Sequence, residues 1–432
     1  MATPSSTHLF SLPEEAIDII CQQFCPYCSE NPSPRYFFLR SKWPNPTDGR
    51  NCLLALSLTC QELRRISKPH LYHRPTGHDF YGFINTIDET PALGRHLKEL
   101  YVSEEVTLSL RLQHDEKNRN GRYHTGMWPL LFFYAFDNLI PALISATPMF
   151  NKLEIHVEND GQFPSTLPGC LPNLEELTII FASRYSQLDD DDGLASLLRA
   201  APRLERTELF NFKTPKASFR HDTVNEITLR SSIIRISRMD AIMLGFPRLQ
   251  TFRMSAPRNL QRIHYTSSQQ TSLSYKIEDL LMLRSDTLKH LTLDFPGIQL
   301  DYQDEIVIQD LSQMEVLETL YIDSGMLHRR WKDRQPAPRF CHMLPKSFKE
   351  FGLMGSAYSP VHEEVVESIN ISAQTFPHLK KVFVSQFQEE WPDDGVEWES
   401  RYASACEAHN IELLSWLPPS LQRFVSWDPY WE

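Results

Sequence analysis

Glycine is scarce, 15 residues in 432, which argues against the Gly-rich phosphate cradles of nucleotide-using enzymes. A positive balance is lacking too. The formal charge is −12, so a polyanion would be repelled overall and nucleic acid is not expected as the main ligand. The first residues, Met1 to Leu12, carry neither a basic nor an apolar leader region, and no secretory signal is expected. Eight cysteines without regular spacing fit a reducing compartment, cytoplasm or nucleus, with free thiols. Uninterrupted apolar runs are missing as well. The one stretch resembling a membrane span, Trp128 to Pro148, has Asp137 and Asn138 at its centre and two prolines besides. A mid-span aspartate costs about 3 kcal/mol on insertion, so a buried helix is the better reading and no membrane partner is expected.

Catalytic motifs are absent or broken. His362-Glu363 opens like the HExxH of zinc proteases, but position 366 is Val and the second ligand is missing. No GxSxG, P-loop or dinucleotide fingerprint occurs, so no catalytic residue, cofactor or enzymatic activity is expected. Cys25-Pro26-Tyr27-Cys28 has the look of a glutaredoxin redox pair. That chemistry needs the first cysteine at a helix N-terminus after a strand, and here the pair follows an amphipathic helix. A zinc set of Cys25, Cys28, Cys52 and either Cys21 or Cys60 has suitable ligand types but irregular spacing, and no metal is assigned. Two charge runs stand out. Asp189–Asp192 suits the N-terminus of a following helix at Gly193. The basic run His328–Arg334 reads as a solvated loop or, more sharply, a docking patch for acidic or phosphorylated groups.

What the chain does contain is periodicity. Ser11-Leu12-Pro13-Glu14 carries the signals of a helix start, followed by Ile17, Ile20, Cys21 and Phe24 on one apolar face. Residues 51–68 read as two short helices, with Thr59 and Glu62 at capping-box spacing and Pro69 as a stop. From residue 97 onward one phrase recurs, apolar-x-x-apolar-x-apolar, as in Leu97/Leu100/Val102, Leu174/Leu177/Ile179, Leu249/Phe252/Met254, Leu317/Leu320/Ile322 and, last, Leu421/Phe424. Most copies follow a proline by one to three residues. The second half of the phrase alternates as a short strand, and helical patterns lie between copies. A strand and a helix every 20–30 residues or so, with an LxxLxL strand, is the leucine-rich-repeat pattern, whose units must stack to bury their apolar faces. The Asn or Cys that usually follows is replaced, by Phe212 and Ser232 among others, so the turn after each strand must be closed differently. Trp416, Trp427 and Trp431 are expected to cover the end of the array.

The run LPEEAIDIICQQF followed by LLALSLTCQELRRISKPHLY resembles the F-box, a module of three packed helices that binds the Skp1 adaptor of ubiquitin ligases. The matching points are the Leu-Pro opening, Glu15 and Ile20, Leu-Ser-x-x-Cys and the closing Leu-Tyr. The sequence departs from the pattern at Leu63, where a Trp is common, and in a polar, Pro-rich insert at 27–50. With its repeats, the whole chain resembles the fungal F-box/leucine-rich-repeat proteins. That resemblance implies an α/β fold, with an F-box-like helical module over 1–75 and an irregular parallel-stranded leucine-rich-repeat solenoid with a C-terminal cap over 76–432. It further implies that Leu12, Pro13, Ile17, Leu56 and Leu63 lie at or just under a Skp1-facing surface, through which a cullin is reached. An unidentified substrate protein is then held by the repeats. Along the strands the residue between the second and third apolar positions should face outward. In that column Arg253, Tyr321 and Phe383 are the expected substrate contacts. The competing expectation is a stand-alone repeat scaffold whose F-box-like helices only cap the array.

Overall fold

The computed structural model describes residues 12–25, 27–28, 46–75, 80–102, 147, 149–157, 169–181, 191–212, 220–232, 239–256, 277–295, 308, 310–328, 340–355, 359–385, 392–414, 418 and 421. The 128–148 stretch (Thr147 apart), the side chains of the 328–334 run, and Trp416, Trp427 and Trp431 lie outside them. Among the described residues no helix is long and apolar enough to cross a membrane. The chain divides into two compact units, Met1–Ile179 with Asp192–Leu204 and Pro429–Glu432, and Ile180–Asp191 with Glu205–Asp428. The helical module of residues 1–75 therefore does not separate by itself, but shares its unit with the first strands.

In the first unit, α1 (Glu14–Phe24), α2 (Pro46–Thr59) and α3 (Gln61–His73) pack on one another. The Pro13 carbonyl accepts the N–H groups of Ala16 and Ile17, and no side chain caps α1. Of the anticipated apolar face, Ile17 and Cys21 point inward, joining Cys25, Leu53, Leu63 and Ile66 in a small core. The insert is shorter than expected, because α2 already begins at Pro46 inside it. α2 also comes close to the end of α1, where a Cβ at Gly49 would lie 2.5 Å from the Phe24 carbonyl oxygen. The expected capping box at Thr59 is displaced by one residue. Thr59 bonds back to Leu56, and the Cys60 sulfur accepts the Leu63 N–H at 3.4 Å. Pro69 does not stop α3. It removes a single N–H, the partner of the carbonyl of Arg65, a residue on the exposed side of the helix, so the helix continues for another turn to His73. Past α4 (Phe80–Glu89) and a 3₁₀ turn (Pro91–His96), Lys98 N–H bonds the His73 carbonyl and starts β1 (Glu99–Val102). β2 (Lys152–Val157), β3 (Glu176–Phe181) and α5 (Asp191–Ala200) follow; α5 starts two residues before the expected Gly193.

The second unit carries β4 (Arg206–Phe210), β5 (Glu226–Arg230), α6 (Met239–Gly245), β6 (Thr251–Ser255), α7 (Ile277–Met282), β7 (His290–Asp294) and β8 (Thr319–Asp323). It continues with α8 (Gly325–His328), α9 (Phe340–Met343), β9 (Glu350–Met354), α10 (Ser359–Asn370), α11 (Ser372–Thr375), β10 (Lys381–Val384), α12 (Pro392–Ala408) and β11 (Glu412–Leu414). Within each unit the strands are neighbours in sequence order, and the registered pairs are parallel. This α/β arrangement is compatible with a repeat solenoid.

The recurring phrase works residue by residue. Its three apolar side chains are buried in copy after copy, including Leu249/Phe252/Met254 and Leu317/Leu320/Ile322. Its second positions stand in register, Ile227 beside Phe252, Leu291, Leu320, Phe351 and Val382 in turn. The prolines explain how the chain enters each strand. Pro172, Pro202, Pro247 and Pro377 occupy the second place of four-residue turns closed by bonds such as Leu204 N–H to Ala201 C=O at 3.1 Å, a place that suits the fixed proline φ. At most strand entries one carbonyl then accepts two N–H groups from the next repeat. Gln250 accepts Lys289 and His290, and Lys289 accepts Glu318 and Thr319. The stretch from Trp391 to Leu414, which reads as a helix returning to a strand, forms α12 and β11, the last strand among the described residues; of the copy at Leu421/Phe424 only Leu421 is described.

The substituted turn is closed by a serine and by backbone. The buried Ser232 hydroxyl accepts the Phe212 N–H at 3.2 Å and donates to the Arg230 carbonyl at 2.9 Å. Asn211 and Ser231, at φ 53° and 46°, turn the chain there in the left-handed region. Ser232→Ala should therefore cost about 1–2 kcal/mol, because Phe212 loses a buried acceptor. A melting temperature unchanged from the parent would refute this closure.

Candidate functional site

Large apolar side chains exposed to solvent concentrate on the N-terminal helices. Leu12 (40%), Ile19 (57%), Phe24 (37%), Leu54 (48%) and Leu58 (76%) all retain large exposed areas. α2 is apolar on two sides: Leu53 faces the core, while Leu54 and Leu58, four residues apart and so on one stripe, face water. Of the residues expected at the Skp1-facing surface, Leu12 and Pro13 are exposed and Leu56 is half-buried. Ile17 and Leu63 lie beneath, inside the core. Ile19, Leu54 and Leu58 were missed, because their helix positions fall off the apolar stripe that periodicity picks out. The outer rim carries charge: Arg65 bridges Glu14 at 2.5 Å and Glu62 at 2.8 Å, all three more than half exposed.

A second constellation lies in the same module. Cys25, at the C-cap of α1, and Cys28 just beyond meet His70 and His73 from the last turn of α3. Their ligand atoms all lie within 4.8 Å of one another. The Cys28 sulfur is 3.4 Å from His70 Nδ1 and 3.2 Å from His73 Nδ1, and the Cys25 sulfur is 3.6 Å from His73 Nδ1. His70 Nε2 points the other way, 2.9 Å from Asp18 Oδ1 on α1. The hydrogen bond with Cys28 holds the Cys25 thiol far below its ordinary range, at about 3, with His70 and His73 adding to the effect against burial. The same bond, then burial, pushes Cys28 up. The expected companions are elsewhere: Cys52 is exposed, Cys60 caps α3 and Cys21 sits in the core. The histidines were hidden by the reading of Pro69 as a helix end. His-x-x-His at 70–73 would have been visible as an i, i+3 pair had the helix been carried through.

The outward column does not form an open wall. Thr228, Thr292, Tyr321 and Phe383 are buried, and Glu208 and Arg253 half-buried. Tyr321 and Phe383, expected as exposed contacts, are corrected to core. Between them in register lies Gly352, and the Tyr321 ring occupies the space its missing side chain leaves, so that a Cβ there would fall 2.0 Å from the ring. The Tyr321 hydroxyl donates to Glu350, and its ring packs near Phe383 (6.2 Å between centroids) with Met354, Leu414 and Leu421 around them. Arg253 keeps some exposure but is paired with Glu226. His362, the start of the broken protease motif, is likewise structural. It is buried, stacks on Trp398 at 5.1 Å and bonds the Tyr402 hydroxyl at 2.9 Å, joining α10 to α12.

No protein-family model matches the sequence, and no curated protein matches it.

Proposed function

We propose that the chain is a non-catalytic adaptor whose α1–α3 module docks a Skp1-type protein, and through it a cullin, while the repeats hold a protein to be ubiquitinated. The observation that carries this reading is the exposure of Leu12, Ile19, Leu54 and Leu58 on one small helical module, where the F-box resemblance expects a partner. Side chains of this size, exposed together on one small module, mark an interaction surface. The charged rim of Glu14, Glu62 and Arg65 suits the polar border of such an interface. Of the expected substrate contacts, only Arg253 retains surface for that role.

Full-length protein and a purified Skp1-type adaptor should associate in pull-down and calorimetry. Leu54→Asp with Leu58→Asp should weaken that association by about 1,000-fold, since apolar anchors at an interface are worth about 2 kcal/mol each and every 1.4 kcal/mol is tenfold. Leu244→Asp, at an equally exposed leucine of α6 in the second unit, should leave it unchanged. Ile17→Asp is unsuitable as a probe because it would place a carboxylate in the core. No association of the unaltered protein by either method would leave the stand-alone scaffold as the surviving reading.

A further inference from the structure

Docking a partner through α1 and α2 gives no reason for two thiols and two imidazoles to meet at the ends of α1 and α3. A tetrahedral zinc ion with sulfur at about 2.3 Å and nitrogen at about 2.0–2.1 Å sets its sulfur and nitrogen ligands about 3.5 Å apart. The three sulfur–nitrogen separations, 3.2, 3.4 and 3.6 Å, fall around that value. Asp18 adds an independent observation. A carboxylate accepting from Nε2–H fixes His70 in the tautomer whose Nδ1 lone pair points at the cysteines, the arrangement that orients and strengthens metal-bound histidines.

We propose that Cys25, Cys28, His70 and His73 bind one zinc ion in a closed Cys2His2 site that staples the end of α1 to the end of α3. Four protein ligands leave no open coordination position, so the site is structural. Two thiolates balance the double charge of the ion. The staple suits a module whose core is small and whose last helix turn, the one bearing both histidines, continues past a proline.

The test uses the full chain, purified under reducing conditions without an affinity tag or chelating resin. Elemental analysis should find about one zinc per chain. Cobalt exchanged into the site should show the intense visible bands of a tetrahedral ion together with a thiolate-to-cobalt charge-transfer band. Cys28→Ser and His73→Ala should each lose stoichiometric metal, whereas Cys52→Ser should retain it. Asp18→Asn keeps all four ligands and should loosen zinc by about 10–100-fold, marking Asp18 as a positioning residue. Because ligand variants can fail through misfolding, the unaltered chain decides. Failure to hold zinc after reconstitution, with Cys25 and Cys28 reacting equally fast toward thiol reagents with and without the ion, overturns the proposal. So does an octahedral cobalt spectrum. Metal content is read without any partner, so a zinc-loaded chain that ignores a Skp1-type protein would defeat the adaptor reading alone.

Discussion

Tyr321→Ala should destabilise the second unit by about 3–5 kcal/mol, the range for deleting a large aromatic from a packed core. At roughly 2–4 °C per kcal/mol for a unit of this size, the melting temperature should fall by about 6–20 °C. The ring is 1% exposed, fills the gap above Gly352 and reaches Phe383 on the next strand. Its removal therefore leaves a cavity bridging three strands, and Glu350 loses its hydroxyl donor. Tyr321→Phe separates the two contributions, since it keeps the ring and gives up only the hydrogen bond, and should cost about 1–2 kcal/mol. Gly352→Ala attacks the same place from the other side. Its methyl group would overlap the ring, forcing Tyr321 outward or the strands apart, so it should also destabilise the fold. A Tyr321→Ala protein that melts with its parent but no longer captures a target would restore these aromatics as contacts and refute the packed patch.

The strands were legible because each LxxLxL phrase buries all three of its apolar side chains in a parallel ladder, a demand local enough to be written in six residues. The prolines before them were legible for the same reason, since one turn geometry repeats. The fate of Tyr321 was not. It depends on Gly352, about thirty residues away, and no period within one strand reports which neighbour in the next lacks a side chain. Glu412-Leu413-Leu414 carries little of the phrase yet forms β11 against β10, while Leu421, which opens a copy of the phrase, packs on the Tyr321 patch. In the N-terminal module the core helices followed from periodicity, but the solvent-facing leucines of α2 did not, because apolar side chains turned to water fall off the stripe that marks a core. The histidine pair was lost to a rule of thumb. A proline costs a helix about 3 kcal/mol, which usually ends it, yet here the turn beyond it persists and brings both imidazoles to the cysteines.

Withdrawing zinc should loosen the N-terminal module far more than any single side-chain change there. Structural zinc contributes about 10–16 kcal/mol of apparent binding free energy in small zinc-finger peptides at neutral pH, and in such sites binding energy is folding energy. In this chain the ligands sit at and just past the C-cap of α1 and in the last turn of α3, so without the ion those two helix ends lose their cross-link. Asp18 and His70 are left with only their own bond. A high-affinity chelator should therefore raise amide exchange across α1 and the C-terminal half of α3, while β5 to β9, which carry none of the ligands, keep their protection. Because α2 packs against both α1 and α3, the same treatment should weaken capture of a Skp1-type protein, and zinc but not magnesium should restore it. The order of events is part of the expectation: exchange in α1 and α3 rises at the chelator concentration that strips the ion, and binding falls with it. If the metal leaves and exchange in both helices stays as it was, the ion is bound without stapling anything. The module would then owe its fold to the Ile17–Leu53–Leu63 core alone.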